Sequence, residues 1–218
     1  MIFSNAAADI ARIYRNQRGN FFVRIIRLFF IPSLQVSLVY RYGHFVRKLW
    51  PPFSWILLVP YLILTMLMRI FYNCSLPSKA EIGPGIILLH TGAIYIHPAT
   101  KIGANCIIGA QVVIGQSRMT DTRVPKIGDN VFIGAGAKLI GPITVGNNTI
   151  IGANAVVLKD TPKNAVMAGV PAKMVKVNKP KPNGEQGKPG RFRGRYRQRF
   201  ASNGKIQKDN RGKAITND

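Results

Sequence analysis

The chain has 218 residues, of which 31 are Lys or Arg and 8 are Asp or Glu, so its formal net charge is +23. Such a basic chain is expected in anionic surroundings, and its two cysteines are too few for the disulfide framework of a small secreted scaffold. Composition divides the chain into three parts, residues 1–74, 75–177 and 178–218.

The first part, residues 1–74, is rich in aromatic, aliphatic and arginine residues, and Asp9 is its only acidic residue. Arginines recur at multiples of three around NFFVRIIRLFFI, which is typical of a basic amphipathic helix on an anionic membrane. The alternative is a helix that packs against a partner within the protein. The part is therefore predicted to be α-helical and membrane-associated.

An uncharged stretch between Lys48 and Arg69 is long enough to span a membrane. Three prolines within it, Pro51, Pro52 and Pro60, favour a kinked or re-entrant segment over a clean span. No secretory signal peptide is apparent, because the N-terminal stretch is mostly polar. We therefore expect a cytoplasmic protein associated with the inner face of the cell membrane.

Residues 75–177 carry an aliphatic residue at every sixth position, usually followed by glycine. The clearest run is Ile133, Leu139, Val145, Ile151 and Val157. This period fits neither an amphipathic helix nor a strand. It is the signature of a parallel β-helix, in which stacked coils of short strands enclose an apolar column. The predicted fold class is mainly β, with helices before the solenoid and a disordered basic tail after it.

Two irregularities interrupt the repeat. The register slips by two residues in LLHTGAIYIHPAT, and GQSRMTDTRVPK lengthens the step from Ile114 to Ile127 to 13 residues. A solenoid accommodates insertions as loops that leave one face, often the binding face. Functional residues are therefore expected in these two segments.

The chain has three histidines. His90 lies in the register slip, where its side chain can point outward, and imidazole accepts protons near neutral pH. His90 is therefore the candidate general base. His44 and His97 are expected to be structural, and neither Cys74 nor Cys106 is expected to be a nucleophile.

Five motifs occur in order: IGPGIILLHTG, IHPATKIG, PKIGDNVFIGAGAKLIGPITVG, IGANAVVLKDTP and AGVPAKMV. Through them residues 78–177 resemble the serine acetyltransferase group of hexapeptide acyltransferases. The resemblance implies a left-handed β-helix, a homotrimer and acetyl-CoA as co-substrate in a groove between subunits, with no metal. It also implies direct transfer, in which His90 deprotonates an acceptor hydroxyl that attacks the thioester.

The resemblance also assigns binding residues. It places Thr91 and Arg123 beside the acceptor. Small residues of the later coils and of the closing motif would border the cofactor, because they allow its thin arm to approach the backbone. These are Gly134, Ala135, Gly136, Ala137, Ala153, Gly169, Val170, Pro171, Ala172 and Lys173.

Three positions depart from the family pattern. Leu89 replaces an Asp before the base, Val124 replaces a second histidine, and Ser75 stands at the position of the acid that orients the base. Glu81 or Asp121 could supply that carboxylate instead. The losses argue against free serine, and the chain resembles most closely the acetyltransferases of exopolysaccharide and capsule assembly, which modify a sugar hydroxyl.

Other interpretations remain open. O-acetylation of L-serine for cysteine biosynthesis is one alternative, and a non-catalytic trimeric scaffold is another. A zinc hydratase of the γ-carbonic anhydrase type would need three converging histidines, which the chain does not supply convincingly. The arginine-rich tail, residues 178–218, could bind RNA, acidic lipids or an acidic polysaccharide, or could merely solubilise the protein.

Overall fold

The computed structural model describes residues 2–17, 19–74, 76–118 and 120–178. Four helices come first, α1 (Ile2–Arg15), α2 (Phe21–Phe29), α3 (Pro32–Val46) and α4 (Phe53–Tyr72). Pro32 starts α3, where its fixed φ suits the first turn. Asn73 ends α4 in the left-handed conformation, with φ of 45°. The prediction that the first part is α-helical is confirmed. The predicted disordered tail, residues 178–218, lies outside the described residues except for Asn178.

Fourteen short strands follow the helices. They are β1 (Glu81–Ile82), β2 (Ile87–Leu89), β3 (Tyr95–Ile96), β4 (Lys101–Ile102), β5 (Ile107–Gly109), β6 (Val113–Gly115), β7 (Lys126–Ile127), β8 (Phe132–Ile133), β9 (Lys138–Ile140), β10 (Thr144–Val145), β11 (Ile150–Ile151), β12 (Val156–Val157), β13 (Ala165–Ala168) and β14 (Lys173–Val177).

The strands form three sheets, which are the three faces of a solenoid. The first face contains β1, β4, β7 and β10, the second contains β2, β5, β8, β11, β13 and β14, and the third contains β3, β6, β9 and β12. Successive strands on each face pair in parallel; only β14 returns antiparallel, against β13. The fold is the predicted left-handed parallel β-helix, with four complete coils and a partial fifth.

The aliphatic residue of each repeat lies inside the solenoid, as the six-residue period predicts. Ile108, Ile133, Leu139 and Ile151 are fully buried, and their stacking forms one continuous apolar column. Small residues such as Cys106 fill the remaining interior space. Each fully buried aliphatic side chain contributes about 1.5–3 kcal/mol to folding.

Several of the glycines that follow an aliphatic residue are needed because neighbouring coils approach closely. A Cβ atom on Gly109 would lie 2.5 Å from the backbone nitrogen of Ala135 in the next coil. Positive φ angles occur elsewhere at the corners, largely on asparagines such as Asn130 and Asn154. Asparagine tolerates this conformation better than most residues, so the two backbone requirements fall on different positions.

Helices α1 and α3 cover the first coil and satisfy its backbone. The buried side chain of Arg41 pairs with buried Asp9 at 3.0 Å and donates hydrogen bonds to the carbonyls of Ile82 and Gly83. Asp9 accepts hydrogen bonds from the backbone N–H of Gly85 at 2.7 Å and from that of Ile86. Burial raises the pKa of Asp9, and these hydrogen bonds and Arg41 oppose the shift.

We expect Asp9→Ala to lower the free energy of unfolding by about 3–5 kcal/mol, because it leaves the buried Arg41 guanidinium without its counter-ion. Denaturant unfolding monitored by circular dichroism would measure the loss. The exposed pair between Glu81 and Lys101, at 2.9 Å, is the matched control. Glu81→Ala should cost no more than about 1 kcal/mol. Equal losses in both variants would show that the buried pair does not anchor the helices.

Candidate functional site

The first coil has two extra residues at the corner between the second and third faces. Leu89 pairs with Gly109 and Tyr95 pairs with Val113. In the first coil, Tyr95 follows Leu89 by six positions, whereas in the coil stacked on it Val113 follows Gly109 by only four. The first coil therefore has two more residues at this corner. The extra residues are His90 and Thr91. The predicted register slip is therefore confirmed at this corner.

His90 projects from the solenoid surface at this insertion. It is exposed, and its φ of 59° places it in the left-handed region. Within the described part of the chain, no hydrogen bond or ion pair orients its ring. Thr91 is half-buried beside it. The imidazole can therefore meet a ligand from outside the solenoid, and its role as general base stays a prediction.

Small residues stack below the insertion, one from each coil. The carbonyl oxygens of Gly92, Ala110 and Ala135 each accept a hydrogen bond of 2.8 Å from the following coil, where the donors are the N–H groups of Gln111, Gly136 and Asn154. This repeated bond aligns Gly92, Ala110, Ala135 and Ala153 in one line, which we call the small-residue column. None of these four residues has a side chain larger than a methyl group, so the column itself is not obstructed below His90.

The turn between β13 and β14 continues this column. Gly169, with φ of 96°, accepts a hydrogen bond from Val156 N–H, and Ala172 N–H donates to the Val156 carbonyl at 2.7 Å. Val170 is 72% exposed, and Pro171 and Lys173 are also exposed. Predicted cofactor residues from different coils thus share one exposed line with the corner that carries His90.

Three predicted cofactor residues have packing roles in the solenoid. The side chain of Ala137 is fully buried in the apolar interior, so only its backbone could border a cofactor, and its binding role stays a prediction. Gly134 is a glycine because the next coil is close, since a Cβ atom there would lie 2.5 Å from the Ala153 nitrogen, whereas Gly136 has a φ of 74°, which favours glycine. Both glycines are buried, so the conformation and packing of the coils explain them.

Arg123 lies on the other insertion, residues 116–125, which connects the third face to the first. Its guanidinium bonds Asp121 through Nε at 2.9 Å and Nη2 at 3.0 Å, and these bonds lower the pKa of Asp121. It lines a cleft of about 290 Å³ together with Lys101 and Thr144 of the first face. One chain therefore does not bring Arg123 to His90, since they occupy different corners.

The carboxylates suggested as orienting acids have other partners. Glu81 pairs with Lys101, Asp121 pairs with Arg123, and Ser75 lies outside the described residues. Neither carboxylate therefore orients His90 within one chain.

The remaining histidines and cysteines have structural contacts. The Nδ1 of His44 bonds the Ser78 carbonyl at 3.0 Å, and the Nδ1 of His97 accepts from Ala99 N–H at 3.1 Å. Burial raises the pKa of each cysteine thiol to about 11, which disfavours the reactive thiolate. Among the described residues, no three His, Cys, Asp or Glu side chains are grouped to hold a metal ion.

Comparisons with known proteins agree with this architecture. The family described as bacterial transferase hexapeptide (six repeats) matches residues 125–159, and the hexapeptide repeat of succinyl-transferase matches residues 99–116. A solved serine acetyltransferase in complex with CoA superimposes with a TM-score of 0.64 at 29% identity, covering 80% of this chain and 69% of that one. The fold and the exposed corner define a hexapeptide-repeat acyltransferase.

Relatives found by sequence show to which family of hexapeptide-repeat acyltransferases the chain belongs. The serine acetyltransferase of Helicobacter pylori (strain J99) is 34% identical over 149 residues, which is 68% of this chain and 84% of the relative. That of Mycobacterium tuberculosis is 38% identical over 117 residues, 53% of this chain; the match spans about half of the relative, 51%. The chain belongs to the serine acetyltransferase family.

Proposed function

We propose that the protein is an acetyl-CoA-dependent O-acetyltransferase in which His90 is the general base. The observation that carries the proposal is the position of His90, free on a two-residue insertion at the end of the small-residue column. Membership of the serine acetyltransferase family supports it, as does a relative crystallised with CoA. In this arrangement the cofactor arm lies along the column and its thioester reaches the imidazole.

The reaction needs one base and no covalent enzyme intermediate. Imidazole takes the proton of the acceptor hydroxyl as the oxygen attacks the thioester carbonyl. The carbon–sulfur bond breaks, the resulting imidazolium returns the proton to the CoA sulfur, and the products are the acetyl ester and free CoA. Histidine suits this cycle because an imidazole can both accept and donate a proton.

We further propose a homotrimer with sites at the subunit boundaries. His90 and Arg123 lie at different corners of the triangular solenoid, so a single copy cannot offer both to one acceptor. Around a threefold axis, the corner of one subunit meets the insertion of the next. Residues 116–125 would then cover the acceptor beside the neighbouring copy's base.

The comparisons favour L-serine as the acceptor, because the curated relatives are named serine acetyltransferases. This supports the alternative interpretation of the sequence over the sugar acceptor. A carboxylate that binds the amine of serine would have to come from a position other than residue 89. Asp121, already paired with Arg123 on the insertion, is the acid that the trimer could bring near.

A sugar hydroxyl is the second candidate acceptor. Leu89, 40% exposed, adjoins His90, and half-buried Val124 adjoins Arg123. Neither side chain can pair with the ammonium or carboxylate of an amino acid, and charged groups beside them would lose hydration without compensation. A neutral acceptor such as a sugar avoids this cost, which is consistent with the resemblance to exopolysaccharide and capsule acetyltransferases.

Release of CoA thiol in the presence of L-serine, compared with mono- and disaccharides, would identify the acceptor.

We expect His90→Ala to lower kcat by about 10²–10⁴-fold with the true acceptor, because it removes the general base. The matched control is His97→Ala, which removes a structural imidazole and should retain activity. Thiol release that is equal in the His90→Ala variant and the unaltered protein would support the scaffold interpretation instead.

We expect Ala153→Trp to raise the KM for acetyl-CoA about ten- to hundredfold, because an indole at this position obstructs the small-residue column. Steady-state kinetics with varied acetyl-CoA would measure the change. The control is Ala11→Trp, the same substitution at an exposed position of α1. An unchanged KM in Ala153→Trp would exclude the column as the path of the cofactor.

Co-expression of His90→Ala and Arg123→Ala chains carrying different affinity tags tests the shared site. Each variant alone should have little activity, whereas mixed trimers isolated through both tags should regain a fraction of it, since some boundaries then carry neither substitution. Restored activity requires the two residues to act across a boundary. Mixed trimers as inactive as their parents would place both residues of one site in a single subunit.

A further inference from the structure

The helical part exposes a large apolar surface on α2, on the segment 49–52 and on α4. In α2 and just after it, Phe22, Phe29 and Phe30 are each more than 70% exposed. Helix α4 has a mean hydropathy of 1.9, and no residue of its apolar window is buried. We call these three segments together the apolar face. Large exposed apolar surfaces on a soluble protein mark interaction sites.

Helix α4 contacts the protein along one narrow stripe only. Its half-buried positions follow the helical repeat and are Ser54, Leu57, Tyr61, Thr65, Met68 and Tyr72. The other positions are exposed, and the side opposite the stripe consists of aliphatic residues: Ile56 at 70%, Val59 at 59%, Ile63 at 55% and Ile70 at 62% exposed. Intramolecular packing therefore uses only one side of the helix.

Both ends of α4 are fastened to α3. The Tyr42 hydroxyl donates to the Leu57 carbonyl at 3.0 Å, and the Tyr72 hydroxyl donates to Gln35 Oε1 at 2.6 Å. Helix α3 is in turn fixed to the solenoid, because the Tyr40 hydroxyl donates to the Ala80 carbonyl at 2.8 Å. At about 30 Å, α4 is long enough to cross a bilayer. Crossing would require it to leave α3 or to draw α3 and the first coil into the hydrocarbon.

Helices α2 and α3 do not form a span either. They pass the same length and hydropathy test only as a pair, bent by 61°. Eight residues of α3 are buried within the protein, among them Arg41. A segment that supplies a buried salt bridge to the solenoid cannot lie across the hydrocarbon core.

The helical part that carries the apolar face has a net positive charge. Up to residue 80, the only acid is Asp9, which is buried and paired with Arg41. Exposed basic side chains border the face and are Arg15, Arg27, Arg47, Lys48 and Arg69. A second copy would bring an equal positive charge to the contact, whereas anionic lipid headgroups would neutralise it at about 1 kcal/mol per basic residue. Exposed Trp50 and Trp55 suit the headgroup level.

We infer that the apolar face docks onto an anionic phospholipid bilayer with α4 lying in the plane of the interface, so that the protein binds one leaflet and does not span. The first coil packs directly against α3, the helix to which α4 is fastened, since Leu88 N–H donates to the Ser33 hydroxyl at 3.1 Å. His90 follows in the same coil. Docking therefore places His90 at the membrane-proximal end of the solenoid and the β13–β14 turn at its distal end. The statement that the base lies near the membrane rests on the proposed function.

Tryptophan fluorescence tests the docking, because Trp50 and Trp55 are the two tryptophans of the chain. Full-length protein should show a blue shift with vesicles of phosphatidylglycerol and phosphatidylcholine. The shift should be much smaller with pure phosphatidylcholine or at high salt. If the protein does not bind anionic vesicles and light scattering shows larger oligomers, the inference is overturned. A second copy of the chain, and not a bilayer, would then cover the apolar face.

Depth measurements distinguish an in-plane helix from a span. In a Trp50→Phe/Trp55→Phe background, single tryptophans replace Ile56, Ile63 or Ile70, all on the outer side of α4. Quenching by lipids brominated at different depths should place the three probes equally shallow. A probe at position 63 much deeper than those at 56 and 70 would show a span and would contradict the inference.

Matched substitutions test the surface itself. Ile56→Gln/Ile63→Gln/Ile70→Gln should reduce vesicle binding at least tenfold, about 1.4 kcal/mol. The control, Leu158→Gln/Val175→Gln/Val177→Gln, changes three aliphatic residues of the solenoid that are 51%, 65% and 55% exposed. Equal losses in the two variants would overturn the inference. Thiol release with a soluble acceptor should be unchanged in both, so this experiment can fail without the proposed function failing.

Discussion

The structure depends on the register in which coils stack. Every coil pairs strand for strand with the next on three faces, and each inward aliphatic residue rests on its equivalent in the neighbouring coil. Hydrogen bonds between coils leave no room for an additional residue within a face. Extra residues must therefore leave at a corner, which is where His90 and Thr91 and the insertion 116–125 are found. These residues are exposed because the coils on either side of them stack in regular register.

The same stacking creates an open end that the helices must cover. The first coil has no preceding coil to supply hydrogen-bond partners, and side chains of α1 and α3 supply them instead. Asp9 and Arg41 meet this need together, since each would be a costly unpaired charge without the other. Because α3 is used in this way, α4 has only one side to pack, and the remaining apolar surface faces outward. The exposed apolar surface and the closure of the solenoid are thus consequences of one arrangement.

The two corners that carry His90 and Arg123 are physically separate in one chain. The corner with His90, the small-residue column and the β13–β14 turn form one line in a single chain, whereas Arg123 lies at another corner. The first of these corners is thus formed by the register of the coils, whereas the second is formed by an insertion between two faces.

The sequence by itself determined the solenoid, because a six-residue aliphatic period has no other regular explanation, and it located His90 through the two-residue slip. It also separated the helical part from the solenoid by composition. The same period places Ala137 inside the solenoid. Only the tertiary structure showed that Gly134 lies against the next coil, that Gly136 has a positive φ, and that Glu81 and Asp121 have other partners. It also decided that α4 is fastened along α3. The reason is that a linear period fixes which residues face the interior, while the contacts of a corner or a helix depend on neighbours far away in the chain.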